Sequence, residues 1–109
     1  MNGWYEVSKS DKGQFSFVLK ANNQQVVLRS QEYATRASAL NGIASVQTNA
    51  ALDQRYELAV AKDGRPYFNL KAANGQVIGT SQMYASNETR AVGIASVKAS
   101  GASTDVRDA

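Results

Sequence analysis

The sequence predicts an α+β fold: two tandem β-β-β-α(-β) repeats forming one continuous, mainly antiparallel sheet, both helices on one face, related by a pseudo-two-fold axis. Three observations carry this prediction. A shift of 51 residues aligns 5–46 with 56–97 without a gap and leaves 19 of the 42 positions identical, where chance gives about two or three. Within each copy, apolar residues alternate with polar ones at the period of a half-buried sheet and are punctuated by glycine-containing turns. A stripe that recurs every three residues then marks one face of a helix.

In the first copy, Tyr5 and Val7 alternate with Trp4, Glu6 and Ser8, and Phe17, Leu19 and Ala21 alternate with Ser16, Val18 and Lys20. A three-residue loop Asp11-Lys12-Gly13, closed by a left-handed glycine, sets Val7 opposite Phe17 and Tyr5 opposite Leu19. A two-residue loop would throw the two apolar sets onto opposite faces. Lys62-Asp63-Gly64 repeats the device, with Leu58 facing Phe68 and Tyr56 facing Leu70. For the second hairpin, Asn74-Gly75 reads as a two-residue type I′ turn, pairing Ala72 with Val77 and Leu70 with Gly79. The first copy has Asn23-Gln24 there, and glutamine at positive φ is strained.

A polar loop and a helix close each copy. Thr35 and Ser86 stand at the N-cap, and Leu40, Ile43 and Val46 (Ala91, Ile94 and Val97 in the second copy) form the buried stripe. Gly42 and Gly93 lie inside the helices at a cost of about 1 kcal/mol each, which a closely approaching backbone would explain. A unit of 51 residues buries too little apolar surface to stand alone, so the copies are expected to share one core. The expected organisation is a single domain over residues 1–102, with repeat one at 4–53 and repeat two at 55–102. Residues 103–109 form a C-terminal tail, either a short exchanged strand or a frayed end.

The run Phe-x-Leu-Lys-Ala-x-Asn-Gly-Gln-Val-Ile at 68–78, Ser-x-x-Tyr at 81–84 and Gly-Ile-x-Ser-Val at 93–97 resembles the YegP-like family, a bacterial domain of unknown function. The resemblance covers nearly the whole chain. It implies β-β-β-α-β repeats joined in one sheet with the last strand exchanged between copies. The strand near Arg55–Val60 then both ends the first unit and starts the second, and Thr104–Arg107 is the candidate for the last exchanged strand. The first copy departs from the pattern at Gln24, where glycine is expected. The family supplies no accepted activity or ligand.

Composition narrows the chemistry. The chain has no histidine and no cysteine, so Ser-His and Cys-His nucleophile pairs, CxxC zinc sites and a histidine general base are excluded. Its nine carboxylates lack the paired spacing of acid–base hydrolysis or of a hard metal site. No catalytic residue, metal or cofactor is therefore expected. The net charge of +3 and pI near 9.3 lean basic, but no two of the twelve basic residues are adjacent, unlike the clusters of dedicated nucleic-acid binders. The absence of cysteine, of an apolar run of about 18 residues, and of a signal-like start at Met1-Asn2-Gly3-Trp4 leads to the expectation of a cytoplasmic protein, a monomer with an internal pseudo-dimer.

Two candidate surfaces follow. The sheet face opposite the helices is expected to carry Trp4, Glu6, Ser16, Val18, Lys20 and Val27 from one copy and Glu57, Tyr67, Asn69, Lys71 and Ile78 from the other, with Lys20 opposite Val27, Lys71 opposite Ile78, and each glutamate diagonal to a lysine. The residues singled out there are Lys20, Lys71, Trp4 and Tyr67. The second surface is the loop set Ser30, Gln31, Tyr33 and its copy Ser81, Gln82, Tyr84, which serves either binding or turn closure and ring packing. The leading expectation is a non-catalytic protein-interaction or small-ligand-binding module. The alternative is a weak nucleic-acid binder using the basic residues of the open face.

Overall fold

The computed structural model describes residues 3–109. The first repeat forms β1 (Trp4–Lys9), β2 (Phe15–Lys20), β3 (Val26–Arg29) and α1 (Arg36–Asn49). The second forms β4 (Tyr56–Val60), β5 (Pro66–Lys71), β6 (Val77–Thr80) and α2 (Asn87–Gly101), followed by β7 (Val106–Asp108). One seven-stranded sheet runs β4-β5-β6-β3-β2-β1-β7. The repeats join where β3 meets β6 antiparallel, with Arg29 paired to its own equivalent Thr80. The pseudo-two-fold passes through that pair.

The first hairpins have the register set by their three-residue loops: Val7 faces Phe17, and Leu58 faces Phe68. Gly13 and Gly64 take φ of 80° and 87°, the left-handed conformation that closes such a loop. The second hairpins differ from the expected two-residue turn. Asn74 keeps a negative φ, and only Gly75, at φ 85°, and its counterpart Gln24, at 71°, are left-handed. Gly75 N–H donates to Ala72 O at 2.9 Å and Ala72 N–H to Gln76 O at 2.8 Å, so the loop has three residues and requires one positive φ where type I′ requires two. The side chain of Asn74 stabilises it by accepting from Gln76 N–H at 3.0 Å.

The longer loop moves the register. Lys20 pairs with Val26 and Lys71 with Val77, and a bulge at the next step restores Leu19–Leu28 and Leu70–Gly79. The residue squeezed out of the ladder, Val27 or Ile78, turns to the helix side, 5% and 7% exposed. Both belong to the core and not to the open face expected for them, because an unpaired bulge residue breaks the two-residue alternation.

One apolar cluster lies between the sheet and both helices, gathering Tyr5, Val7, Phe17, Leu19, Leu28, Phe68 and Leu70 from the strands and Ala39, Ile43, Val46 and Val97 from the helices. Full burial of each large side chain contributes about 1.5–3 kcal/mol. Each helix reaches across both repeats, α1 packing on β1, β2, β5 and β6 and α2 on β2, β3 and β5. The helix ends cross over as well. Tyr5 Oη donates to Gly101 O at 2.7 Å and Tyr56 Oη to Ala50 O at 2.6 Å, so the first strand of each repeat ties down the C-terminus of the other repeat's helix. Burial raises the pKa of both phenols above the ordinary tyrosine value, keeping them neutral donors.

The caps are those expected: Thr35 accepts from Ser38 N–H, and Ser86 forms a capping box with Thr89. The helix glycines have a different cause from the one expected. A Cβ on Gly42 or Gly93 would meet the phenol of Tyr33 or Tyr84, a side chain of the same repeat and not a neighbouring backbone.

Candidate functional site

On the face away from the helices, alternation in β1, β2, β4 and β5 places Trp4, Glu6, Val18, Lys20, Glu57, Tyr67, Asn69 and Lys71, all outside the apolar cluster. The diagonal geometry brings Lys20 Nζ to 3.2 Å from Glu6 Oε2 and Lys71 Nζ to 2.9 Å from Glu57 Oε2. The duplication therefore repeats one ion pair twice. Its surroundings differ. Glu6 also accepts from Trp4 Nε1 at 2.8 Å, whereas Glu57 accepts from Asn69 at 3.0 Å, and Asn69 in turn accepts from Thr80 at 2.8 Å. Both glutamates are held below the usual carboxylate pKa. The indole N–H and then Lys20 are responsible at Glu6, Lys71 and then Asn69 at Glu57.

Trp4 is further covered by Arg107, whose guanidinium lies 4.2 Å from the ring centroid and is held by Asp105 at 2.8 Å. Sequence reasoning missed Arg107, because its equivalent by the 51-residue shift is Tyr56 and nothing in the pattern places the tail beside Trp4. Tyr67 lies half-buried in β5, away from Trp4 in the strand order. The structure thus assembles Trp4, Glu6, Lys20 and Arg107 as one group and Glu57, Asn69, Lys71 and Thr80 as another.

The loop candidates stand at the ends of the hairpins. Ser30 Oγ accepts from Phe17 N–H at 2.9 Å and donates to Gln31 O at 2.7 Å. Ser81 repeats this with Phe68 at 3.0 Å and Gln82 at 2.8 Å. Tyr33 stacks on Phe17 at 6.2 Å, and Tyr84 stacks on Phe68 at the same distance. Partial burial raises the pKa of both phenols, opposed by hydrogen bonds to Gln31 and Gln82.

Two shallow clefts adjoin these loops. One, of about 210 Å³, is bordered by Arg29, Ser30, Gln31, Val77, Thr80 and Ser81 beside the β3–β6 junction. The other, of about 290 Å³, lies between Gln25 and Val27 of the first repeat and Gln82, Tyr84, Thr89 and Val92 of the second. Neither holds a cluster of acids, and among the described residues no group of three or more acidic side chains is placed to hold a metal.

Comparison with known proteins matches this doubled architecture. The profile of a domain of unknown function, DUF1508, matches residues 10–57 and 61–108, two stretches separated by the same 51-residue shift. The chain belongs to the YegP-like UPF0339 family. It is 58% identical over 108 residues to the UPF0339 protein of Acinetobacter baylyi, covering 99% of this chain and 97% of that one. It is 55% identical to YegP of Escherichia coli K12, covering 99% and 98%. The solution NMR structure of the Shewanella oneidensis UPF0339 protein superposes with a TM-score of 0.93 at 56% identity, over 99% of this chain and 92% of that one. These relatives are uncharacterised and carry no activity across. The two matches end at Glu57 and Asp108, so the strand that closes repeat one is the start of β4 and the strand that closes repeat two is β7.

Proposed function

We infer that this YegP-like chain is a non-catalytic interaction module that binds a protein partner through the helix-free face of its sheet, as a cytoplasmic monomer with an internal pseudo-dimer. The observation that carries the reading is the duplicated Glu–Lys pair, Glu6–Lys20 and Glu57–Lys71, flanked by Trp4 on one side and Tyr67 on the other. Paired opposite charges around aromatic rings suit a protein surface, which offers both signs of charge and apolar area. Catalysis is disfavoured by the lack of histidine and cysteine. The nucleic-acid reading is disfavoured because Lys20, Lys71 and Arg107 are each engaged by a carboxylate, and a phosphate would have to displace it. The cleft of about 290 Å³ beside Tyr84 supports a second reading, a small polar ligand.

The test is a pull-down on the full chain from nuclease-treated bacterial lysate, followed by titration of the captured protein against wild type and the Lys20→Glu/Lys71→Glu double variant. Melting is run in parallel. The double variant is expected to stay folded and to lose binding by at least about tenfold, since reversed charge in a contact surface repels a complementary partner. Unaltered affinity in a folded double variant would remove the sheet face. Capture abolished by nuclease, together with a steep salt dependence, would replace the protein partner with a nucleic acid.

A further inference from the structure

The two edges of the sheet are related by the pseudo-two-fold, and among the described residues only one of them is covered by a further strand. On the covered edge β7 runs parallel to β1, with Tyr5 N–H donating to Asp105 O at 2.9 Å and Ala109 N–H to Val7 O at 2.8 Å. Arg36, at the start of α1, holds Asp108 at 2.8 Å. On the other edge β4 is the last strand, and Tyr56, Leu58 and Val60 stand where Tyr5, Val7 and Lys9 stand in β1. The segment that would have covered β4 has become β4. Residues 55–57 are the equivalents of Val106–Asp108 and lead straight into the second repeat. A short 3-10 turn, Asp53–Arg55, supplies one bond of the missing strand, Asp53 O accepting from Tyr56 N–H as Asp105 O accepts from Tyr5. Beyond it Leu58 and Val60 are 59% and 66% exposed. Native edge strands are commonly blunted by charge, proline or a covering element. Positions 58 and 60 have none of these.

We propose that the open edge of β4 docks an extended segment of a partner protein, paired in parallel with β4 as β7 is paired with β1. This site is separate from the sheet face invoked above. β7 supplies the chemistry of its occupant. Val106 and Asp108 share the helix side with Tyr5 and Val7, and Arg107 shares the open side with Glu6. The surroundings of β4 call for the same alternation. Leu58 and Val60 present apolar surface. The guanidinium of Arg90, donating to Ala59 O at 3.0 Å and to Asn87 Oδ1 at 3.1 Å, places a positive charge on the helix side, where Asn87 is the equivalent of Arg36. Glu57, paired with Lys71 as Glu6 is with Lys20, places a carboxylate on the open side, at the position where Glu6 of β1 lies beside Arg107. The occupant is therefore apolar and acidic on one side and basic on the other. A second copy of β4 would set Ala59 beside Glu57 and bring no carboxylate to Arg90, so charge complementarity favours the β7-like segment. Main-chain bonds along the edge supply affinity and the alternating side chains supply specificity.

The experiment titrates the full ¹⁵N-labelled chain with a synthetic peptide of the sequence of residues 103–109, N-acetylated, and follows amide shifts. The expected result is saturable shifts at Glu57–Ala61 and not at Trp4–Lys9. A nitroxide on the peptide's N-terminus broadens Glu57 more than Val60. Leu58→Lys weakens binding at least about tenfold. Leu58→Pro, which removes an outward N–H while leaving the β4–β5 bonds in place, does the same. The proposal is overturned by the absence of shifts at β4 with millimolar peptide, by binding that both folded variants retain, or by concentration-dependent self-association through β4 without peptide.

Discussion

Val7 and Leu58 occupy the same position of the repeat, and one is 2% exposed while the other is 59% exposed. Leu28 and Gly79 are also equivalent, and there the difference has a mechanical reason. The axis brings both to one spot, where a Cβ on Gly79 would lie 2.7 Å from the Leu28 side chain. A symmetric pair of leucines would overlap. Ala50 and Gly101, again equivalent, meet in the same way at the C-termini of the two helices. In each pair the first repeat keeps the side chain and the second gives way. Where equivalent residues do not collide the copies stay alike: Phe17 with Tyr33 mirrors Phe68 with Tyr84, and Ser30 mirrors Ser81. The two repeats have thus diverged where a shared core forces equivalent residues together, and at the edges, where one chain supplies only one spare strand.

The largest effect should come from restoring symmetry at the axis. Gly79→Leu is expected to cost about 2–3 kcal/mol by overpacking against Leu28, and Leu28→Gly about 3–5 kcal/mol through the cavity it leaves and the flexible residue it adds to β3. The swapped double variant should cost clearly less than the sum of the two, with a coupling of at least about 1 kcal/mol in a denaturant double-mutant cycle. Strict additivity would mean that the two positions do not share one space.

A smaller effect separates the second hairpins. Gly75, at φ 85°, has open space around it, so Gly75→Val costs backbone strain alone, about 1–2 kcal/mol. Gln24 already carries that strain at φ 71°, and Gln24→Gly should be neutral or gain a few tenths of a kcal/mol. Equal losses in urea unfolding would contradict the left-handed assignment of both positions.

These comparisons also mark how far the sequence could be read. Repeat number, strand order within each repeat, the first-hairpin registers and both N-caps were legible, because each depends on local chemistry: a left-handed glycine at 13 or 64, a hydroxyl at 35 or 86, a two-residue alternation. The inward turn of Val27 and Ile78 was not, since Asn74-Gly75 is compatible with either a two- or a three-residue loop and the choice shifts every residue as far as the bulge. The reason for Gly42 and Gly93 was hidden for a different cause: the Tyr33 and Tyr84 rings reach them only through the tertiary fold. On the candidate face, the Glu–Lys diagonals followed from register alone. Arg107 over Trp4 depends on where the tail lands, which no local rule fixes.

The contrast between a covered edge at β1 and an open one at β4 is tested most directly by residue-resolved amide hydrogen exchange in the native state. Phe68 turns its backbone towards β6, through Ser81, so Leu58 opposite it turns outward, and Glu57 and Ala59 turn towards β5. Slow exchange is expected at Glu57 and Ala59, fast exchange at Leu58 and Val60 between and beyond them, and slow exchange at Val7, the equivalent of Leu58 lying beneath β7. Protection of Leu58 equal to that of Val7 in the isolated chain would show that the β4 edge is already covered and that the two edges do not differ.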